Sequence, residues 1–311
     1  MTRLLTILLV ISAAGSARAA GAPMPAGVSV STASPVAIPT PAPLPNPLES
    51  KMRMQNAVES NNPFGLVPHR PNYLLPYTYN TSPNQPPFGA QQHGATLQKA
   101  EMKFQISFRL PVWKHIFGQD LSLDLAYTQL SFWQAYNTRD SSPFRETNYE
   151  PEALLRLNTH FHILGLENQS IILGADHQSN GLGTGPEKRS WNRLDAEFDV
   201  NRGNFELSLK PWHRITEPAG NDDNRDIEKF MGYGELRARY KMGSQVASLL
   251  FRNNFRGGGA NKGAIELGWS GPLVRQLRWY AQYFNGYGES LIDYNHVNQR
   301  IGAGILFGEW L

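Results

Sequence analysis

The chain has 311 residues, 41% of them hydrophobic and 18% charged, with a formal net charge of +3 and no cysteine. So small a charge argues against a nucleic-acid partner, the more so because Arg3 and Arg18 would leave with a cleaved leader. Without cysteine, an exported chain has to hold its fold by hydrogen bonding and packing alone.

Export is the expectation from the first twenty residues. Arg3 precedes an apolar run from Leu4 to Ile11, and Ala17-Arg18-Ala19 supplies the small-residue pattern of a cleavage site, so residues 1–19 read as a secretory signal. Residues 20–70 begin with a stretch rich in proline, alanine and serine and almost free of charge, "GAPMPAGVSVSTASPVAIPTPAPLPNPL". This region reads as an extended spacer and N-terminal extension, a proline-rich partner segment being the alternative. No other stretch reaches the roughly 20 consecutive apolar residues of a spanning helix, which leaves a soluble secreted protein or a transmembrane barrel.

From residue 71 to 311 the dominant period is two. Phe104, Ile106, Phe108 and Leu110 alternate with Lys103, Gln105, Ser107 and Arg109, the pattern of a strand with one apolar and one wet face. Twelve such segments follow one another, near Tyr73, Phe104, Leu123, Leu155, Ile171, Leu194, Leu207, Leu236, Leu249, Ile265, Trp279 and Ile301. They predict an all-β protein, a 12-stranded antiparallel transmembrane β-barrel with a short N-terminal extension. Closure would satisfy every backbone group in hydrocarbon. Phe132-Trp133, Trp279-Tyr280 and Tyr283-Phe284 are expected in interfacial aromatic girdles, and a soluble β-sandwich is the competing fold.

The apolar phase carries polar residues in two places. Ile171, Leu173 and Ala175 are followed in phase by His177 and Ser179, and Asn192 precedes Leu194, Ala196, Phe198 and Val200 on the next strand. Leu121, Leu123, Leu125 and Tyr127 run likewise into Gln129 and Ser131. Polar groups in hydrocarbon are costly unless paired, and they usually mark function. Ser179 as nucleophile, His177 as its base and Asn192 as the group that orients the base make an acyl-transfer set. Asp176 lies on the opposite phase and is left out. Backbone N–H groups around Asn180 and Gly181 follow the nucleophile and would serve as oxyanion donors. His160 and His162, two residues apart, and the Gly257–Gly259 run fit no wider motif and read as a lumen pair and a flexible turn.

These residues resemble the outer membrane phospholipase A family of Gram-negative bacteria. The matching segments are "YTQLSFWQ" (127–134), "SSPFRETNYEP" (141–151), "HQSNG" (177–181), "RSWNRL" (189–194), "KPW" (210–212) and "GYGESLIDYNHVNQRIGAG" (286–304). The resemblance implies a calcium-dependent phospholipase that cleaves sn-1 and sn-2 acyl esters of phospholipids and lysophospholipids in the outer membrane. It implies Ser179, His177 and Asn192 as the catalytic trio and Gly181 as an oxyanion donor, with homodimerisation when active and Gln129 in a polar contact across the dimer. For calcium it implies Ser141 from the second copy, the carbonyl of Leu182, the position of Lys188, and Asp223 at a second site. Lys188 departs from the family, which has a hydroxyl there; its carbonyl, Glu187 or Thr184 would have to stand in. Leu311 is a second departure, because such barrels commonly end in an aromatic residue, and Trp310 lies one position away. The alternative reading of the whole chain is a non-catalytic outer-membrane channel or structural barrel. Its support is the row of inward charges, Arg193, Asp195, Glu197 and Asp199 opposite Glu235, Arg237 and Arg239, although side chains can fill a barrel of this size.

Overall fold

The computed structural model describes residues 65–308 except residue 160. The leader at 1–19, the spacer up to residue 64, His160, Trp310 and Leu311 lie outside the described residues. Twelve long strands account for most of the rest: β1 Asn72–Asn80, β2 Ala100–Trp113, β3 Leu121–Trp133, β4 Phe144–Asn158, β5 Leu166–Ser179, β6 Ser190–Arg202, β7 Phe205–Ile215, β8 Gly234–Met242, β9 Gln245–Asn253, β10 Gly263–Val274, β11 Leu277–Tyr287 and β12 Val297–Gly308. Each is antiparallel to the next, and β12 returns to pair with β1, Arg300 opposite Asn80 and Gly308 opposite Asn72. The sheet is a closed 12-stranded barrel. All twelve segments expected from alternation fall within these strands, and three of the strand prolines, Pro76, Pro111 and Pro272, lie beside register shifts, whereas Pro151 and Pro211 sit opposite Tyr127 and Gly234 in regular ladders. Proline cannot donate to a ladder, so a bulge is where it does least harm.

The two rims differ. At one end the connections are tight, 203–204, 243–244 and 275–276 among them, whereas at the other run the loops 81–99, 134–143, 180–189, 216–233, 254–262 and 288–296. The outside between the rims is apolar, with Leu125, Leu173, Leu194, Leu209, Leu267 and Ile301 each about half exposed. The inside is charged and filled. Arg193 reaches Asp176 at 2.5 Å and Glu150 at 2.7 Å, Lys210 reaches Glu152 at 2.9 Å, and Arg109 holds Asp124 at 2.8 Å. Buried charges are tolerated only when paired in this way. A cavity of about 300 Å³ remains among them. Of the inward charges read from the sequence, Arg193 pairs as above, Glu197 accepts from Ser208, Asp199 from Ser170, Glu235 pairs with Arg237 and Arg239 with Glu206. Asp195, by contrast, accepts no hydrogen bond and has Lys210 as its cation at 3.5 Å.

Two segments complete the filling. A short ladder pairs Val67 and Pro68 with Arg109 and Phe108, ahead of β1, and the bend that follows carries His69 and Arg70 inside. There Arg70 pairs with Glu150 at 2.8 Å, and His69 reaches Glu152 at 2.8 Å. The contents of the barrel thus begin at Val67, ahead of the boundary expected at residue 71. At the long-loop rim, 288–296 folds into the mouth. Leu291 and Tyr294 pack with Trp191, Trp212, Ile227 and Met231. Burial disfavours the charge on Asp293, but Arg145 at 2.6 Å and hydrogen bonds from Asn84 and Asn298 outweigh it and hold this carboxyl below its ordinary range.

Two expectations need correction. Adjacent residues of a strand point to opposite faces, so each aromatic dipeptide is split. Phe132, Tyr280 and Phe284 are buried inside, near the Lys103 ammonium, and only Trp133, Trp279 and Tyr283 remain on the outer phase. Ser131 has the outer phase but is fully buried, opposite Phe104 on one side and Thr147 on the other.

Candidate active site

The hairpin of β5 and β6 ends at the long-loop rim. Its ladder sets His177 opposite Asn192 and Ser179 opposite Ser190, and directly opposed residues of an antiparallel pair share a face. That face is the outer one. Leu173, Ala175 and His177 are exposed, and Ser179 and Asn192 are half-buried. Ser179 and His177 stand two residues apart along β5, a backbone spacing of about 6.6–6.8 Å with side chains on the same side.

Hydrogen bonds fix the chemistry of the imidazole. His177 Nδ1 lies 2.8 Å from Asn192 Oδ1, and an amide oxygen only accepts, so Nδ1 carries the proton. The other ring nitrogen is then the basic one. Asn192 is oriented in turn, because its Nδ2 donates to Glu217 Oε1 at 2.8 Å. Sequence reasoning missed Glu217. Ile215 faces Asn192 across the β6–β7 ladder, which puts residue 217 next on the same phase, but the register of β6 on β7 is not readable from residue types.

The other face of the hairpin is its support. Asp176 is buried in the lumen against Arg193. Trp191 is fully buried, donates from its indole to Gln178 Oε1 at 2.8 Å, and carries the Arg193 guanidinium 4.1 Å above its ring. Asn180 closes the turn: its N–H donates to the Arg189 carbonyl at 3.0 Å and its Nδ2 to the Glu187 carbonyl at 2.9 Å. The Asn180 N–H is therefore spent on the turn, and of the two expected oxyanion donors this leaves Gly181. Gly181 has φ of +74°, and a Cβ there would meet the ring of Tyr149 at 2.7 Å. No other residue fits both demands.

The residues assigned to calcium lie on the same rim. Ser141 sits exposed in loop 134–143 with φ of +62°, and Leu182 is exposed beside Gly181. Lys188 and Asp223 hold each other, Nζ to Oδ2 at 3.0 Å, and the same carboxylate oxygen accepts from Ser190 Oγ at 3.3 Å. The Lys188 carbonyl accepts from Arg189 at 2.7 Å. Gln129 is satisfied within the wall: Tyr127 donates to its Oε1 at 3.2 Å, and its Nε2 donates to Ser131 Oγ at 3.1 Å.

Comparison with known proteins shows the family of the chain. The family model described as Phospholipase A1 matches residues 48–307. Phospholipase A1 of Klebsiella pneumoniae is 39% identical over 251 residues, covering 81% of this chain and 85% of the relative. Among solved structures, outer membrane phospholipase A from Escherichia coli, in the form of an active-site mutant with an asparagine replaced by alanine, superposes with a TM-score of 0.74 at 38% identity, over 81% of this chain and 95% of that one. The Salmonella typhi outer membrane phospholipase dimer with bound calcium gives the same figures.

Proposed function

The chain belongs to the phospholipase A1 family, and from that premise we propose that its outer wall hydrolyses phospholipid esters by a Ser179–His177–Asn192 mechanism. It is a phospholipase of the Gram-negative outer membrane, built as a β-barrel, with phospholipid as substrate. The remaining steps are the proposal. A lipid reaches the wall laterally, and His177 Nε2 takes the proton of Ser179 as its oxygen attacks the acyl carbonyl at either the sn-1 or the sn-2 position. The N–H of Gly181 donates to the oxyanion of the tetrahedral intermediate. The imidazolium then protonates the departing lysophospholipid alkoxide, and water releases the fatty acid by the same path in reverse. Lysophospholipid follows the same route.

The observation that carries this reading is the 2.8 Å bond between His177 Nδ1 and Asn192 Oδ1 on the face that meets lipid. A neutral third member suits that place, where an ionised aspartate would lose its hydration. Ser179→Ala is the test. It should leave a folded, heat-modifiable barrel whose ester hydrolysis is lower by about 10⁴-fold or more; wild-type turnover in that variant overturns the assignment.

Calcium and dimerisation are proposals of a second order. The residues fit the ion in part. The Leu182 carbonyl and the Ser141 hydroxyl of a second copy are oxygen donors of the kind calcium takes. Lys188 is not, and its ammonium already neutralises Asp223. Calcium would supply positive charge beside the developing oxyanion. Dimerisation through the wall that carries Gln129 would bring Ser141 of one copy to the rim of the other. Residues 1–19 are proposed as the export signal and 20–70 as the extension that leads into the barrel at 71–311.

A further inference from the structure

We propose that Glu217 is a fourth member of the catalytic relay, a positioning residue that orients Asn192 and supplies the negative charge an aspartate gives to an ordinary Ser-His-Asp set. The inference rests on the Ser179–His177–Asn192 reading and adds to it.

The chain of donors runs in one direction. His177 Nδ1 donates to Asn192 Oδ1 at 2.8 Å, and Asn192 Nδ2 donates to Glu217 Oε1 at 2.8 Å. An amide can rotate by half a turn, which would present its NH₂ to the imidazole and force the wrong tautomer. A carboxylate only accepts, so with Glu217 in place the NH₂ has one destination and the oxygen is turned to His177. The bond to an ionised acceptor is charge-assisted, and it polarises the amide toward the imidazolium that forms during the reaction.

Glu217 is placed for this role by its own neighbours. It follows Ile215, the ladder partner of Asn192, by two residues and so shares the outer phase. Pro218 comes next, which biases residue 217 to extended backbone. The loop it begins is tied down at both ends: Arg214 pairs with Asp222 at 2.5 Å and donates to the Arg225 carbonyl at 3.0 Å, and Asn224 Oδ1 accepts from the Ser190 N–H at 3.2 Å. The carboxylate stands at the rim, half-buried, where water can solvate its outer oxygen. The relay thus keeps its charge at the membrane surface and presents only a neutral amide to the imidazole.

A swap tests the idea. Glu217→Ala should lower kcat by about 10- to 100-fold with KM little changed, and Glu217→Gln, which can still accept, should fall between Glu217→Ala and wild type. Asn192→Asp alone sets two carboxylates against each other and should be the poorest of the set. Adding Glu217→Gln to Asn192→Asp gives the new carboxylate a donor and should recover at least about tenfold of the loss. A residue that only anchors the loop would show no such rescue. Heat-modifiable migration confirms folding of each variant. Wild-type kcat in Glu217→Ala, or no recovery in the double variant, overturns the proposal. If Ser179→Ala abolishes hydrolysis while Glu217→Ala does not affect it, the relay alone has failed; if Ser179→Ala retains hydrolysis, the trio itself has.

Discussion

The β5–β6 hairpin has two faces that share one backbone and solve the same problem in different ways. Its inner face carries Asp176 and Arg193, buried groups kept apart from water, with Arg193 pairing with both Asp176 and Glu150. Its outer face carries Ser179, His177 and Asn192, the last two linked in a line to Glu217 at the rim. The inner face contributes rigidity, because an ion pair in a filled lumen has one geometry. The outer face carries the proposed reactivity, because neutral polar groups can sit in lipid without a counter-ion.

If that division holds, substitutions on the two faces should move different quantities. The largest effect on stability is expected for Arg193→Met, which strands the Asp176 carboxyl in the lumen while Glu150 keeps only Arg70, at a cost of about 3–5 kcal/mol. Thermal unfolding in detergent reads it, and an unchanged midpoint would erase the contrast between the faces. Gly181→Ala belongs to the outer face. Its Cβ collides with Tyr149 and its backbone resists φ of +74°, so kcat should fall by about 10²- to 10³-fold as the N–H leaves its place, with a smaller shift in unfolding. The smallest effect concerns the metal. Lys188→Ser removes the ammonium from Asp223 and restores a hydroxyl. It should lower the calcium concentration for half-maximal hydrolysis by about tenfold and raise the dimer fraction seen by sedimentation at a given calcium level. A calcium response identical to that of the parent chain would mean the Lys188–Asp223 pair plays no part in it.

Much of this was legible from residue order because parity is a strong signal. Each of the twelve segments could be recognised by alternation, and the same counting put His177, Ser179 and Asn192 outside and Asp176 inside. What parity does not carry is register or depth. β4 begins at Phe144, well ahead of the apolar alternation near Leu155, because its outward positions Thr147 and Tyr149 are only weakly apolar and its inward ones, Glu146, Asn148 and Glu150, are polar. Ser131 kept the right phase yet proved covered, since burial at a rim depends on which aromatic ring lies over it. Glu217 escaped because its partner lies 25 positions away and is fixed by the alignment of β6 on β7. His69 and Arg70 escaped because a proline-rich approach gives no hint that its last residues turn into the lumen.

The seam between β1 and β12 joins Asn80 to Arg300, nearly the whole length of the barrel sequence. The β5–β6 hairpin, by contrast, draws on neighbours in sequence and needs only local loop closure to form. Order of assembly follows from this inequality. The reactive wall can take shape as part of an open sheet, but the last strand must arrive before the lumen is sealed and the first strand loses its free edge. A chain cut short at its C-terminus would therefore carry the trio and still fail as an integral membrane enzyme, its unpaired edge exposed to other nascent sheets in the periplasm.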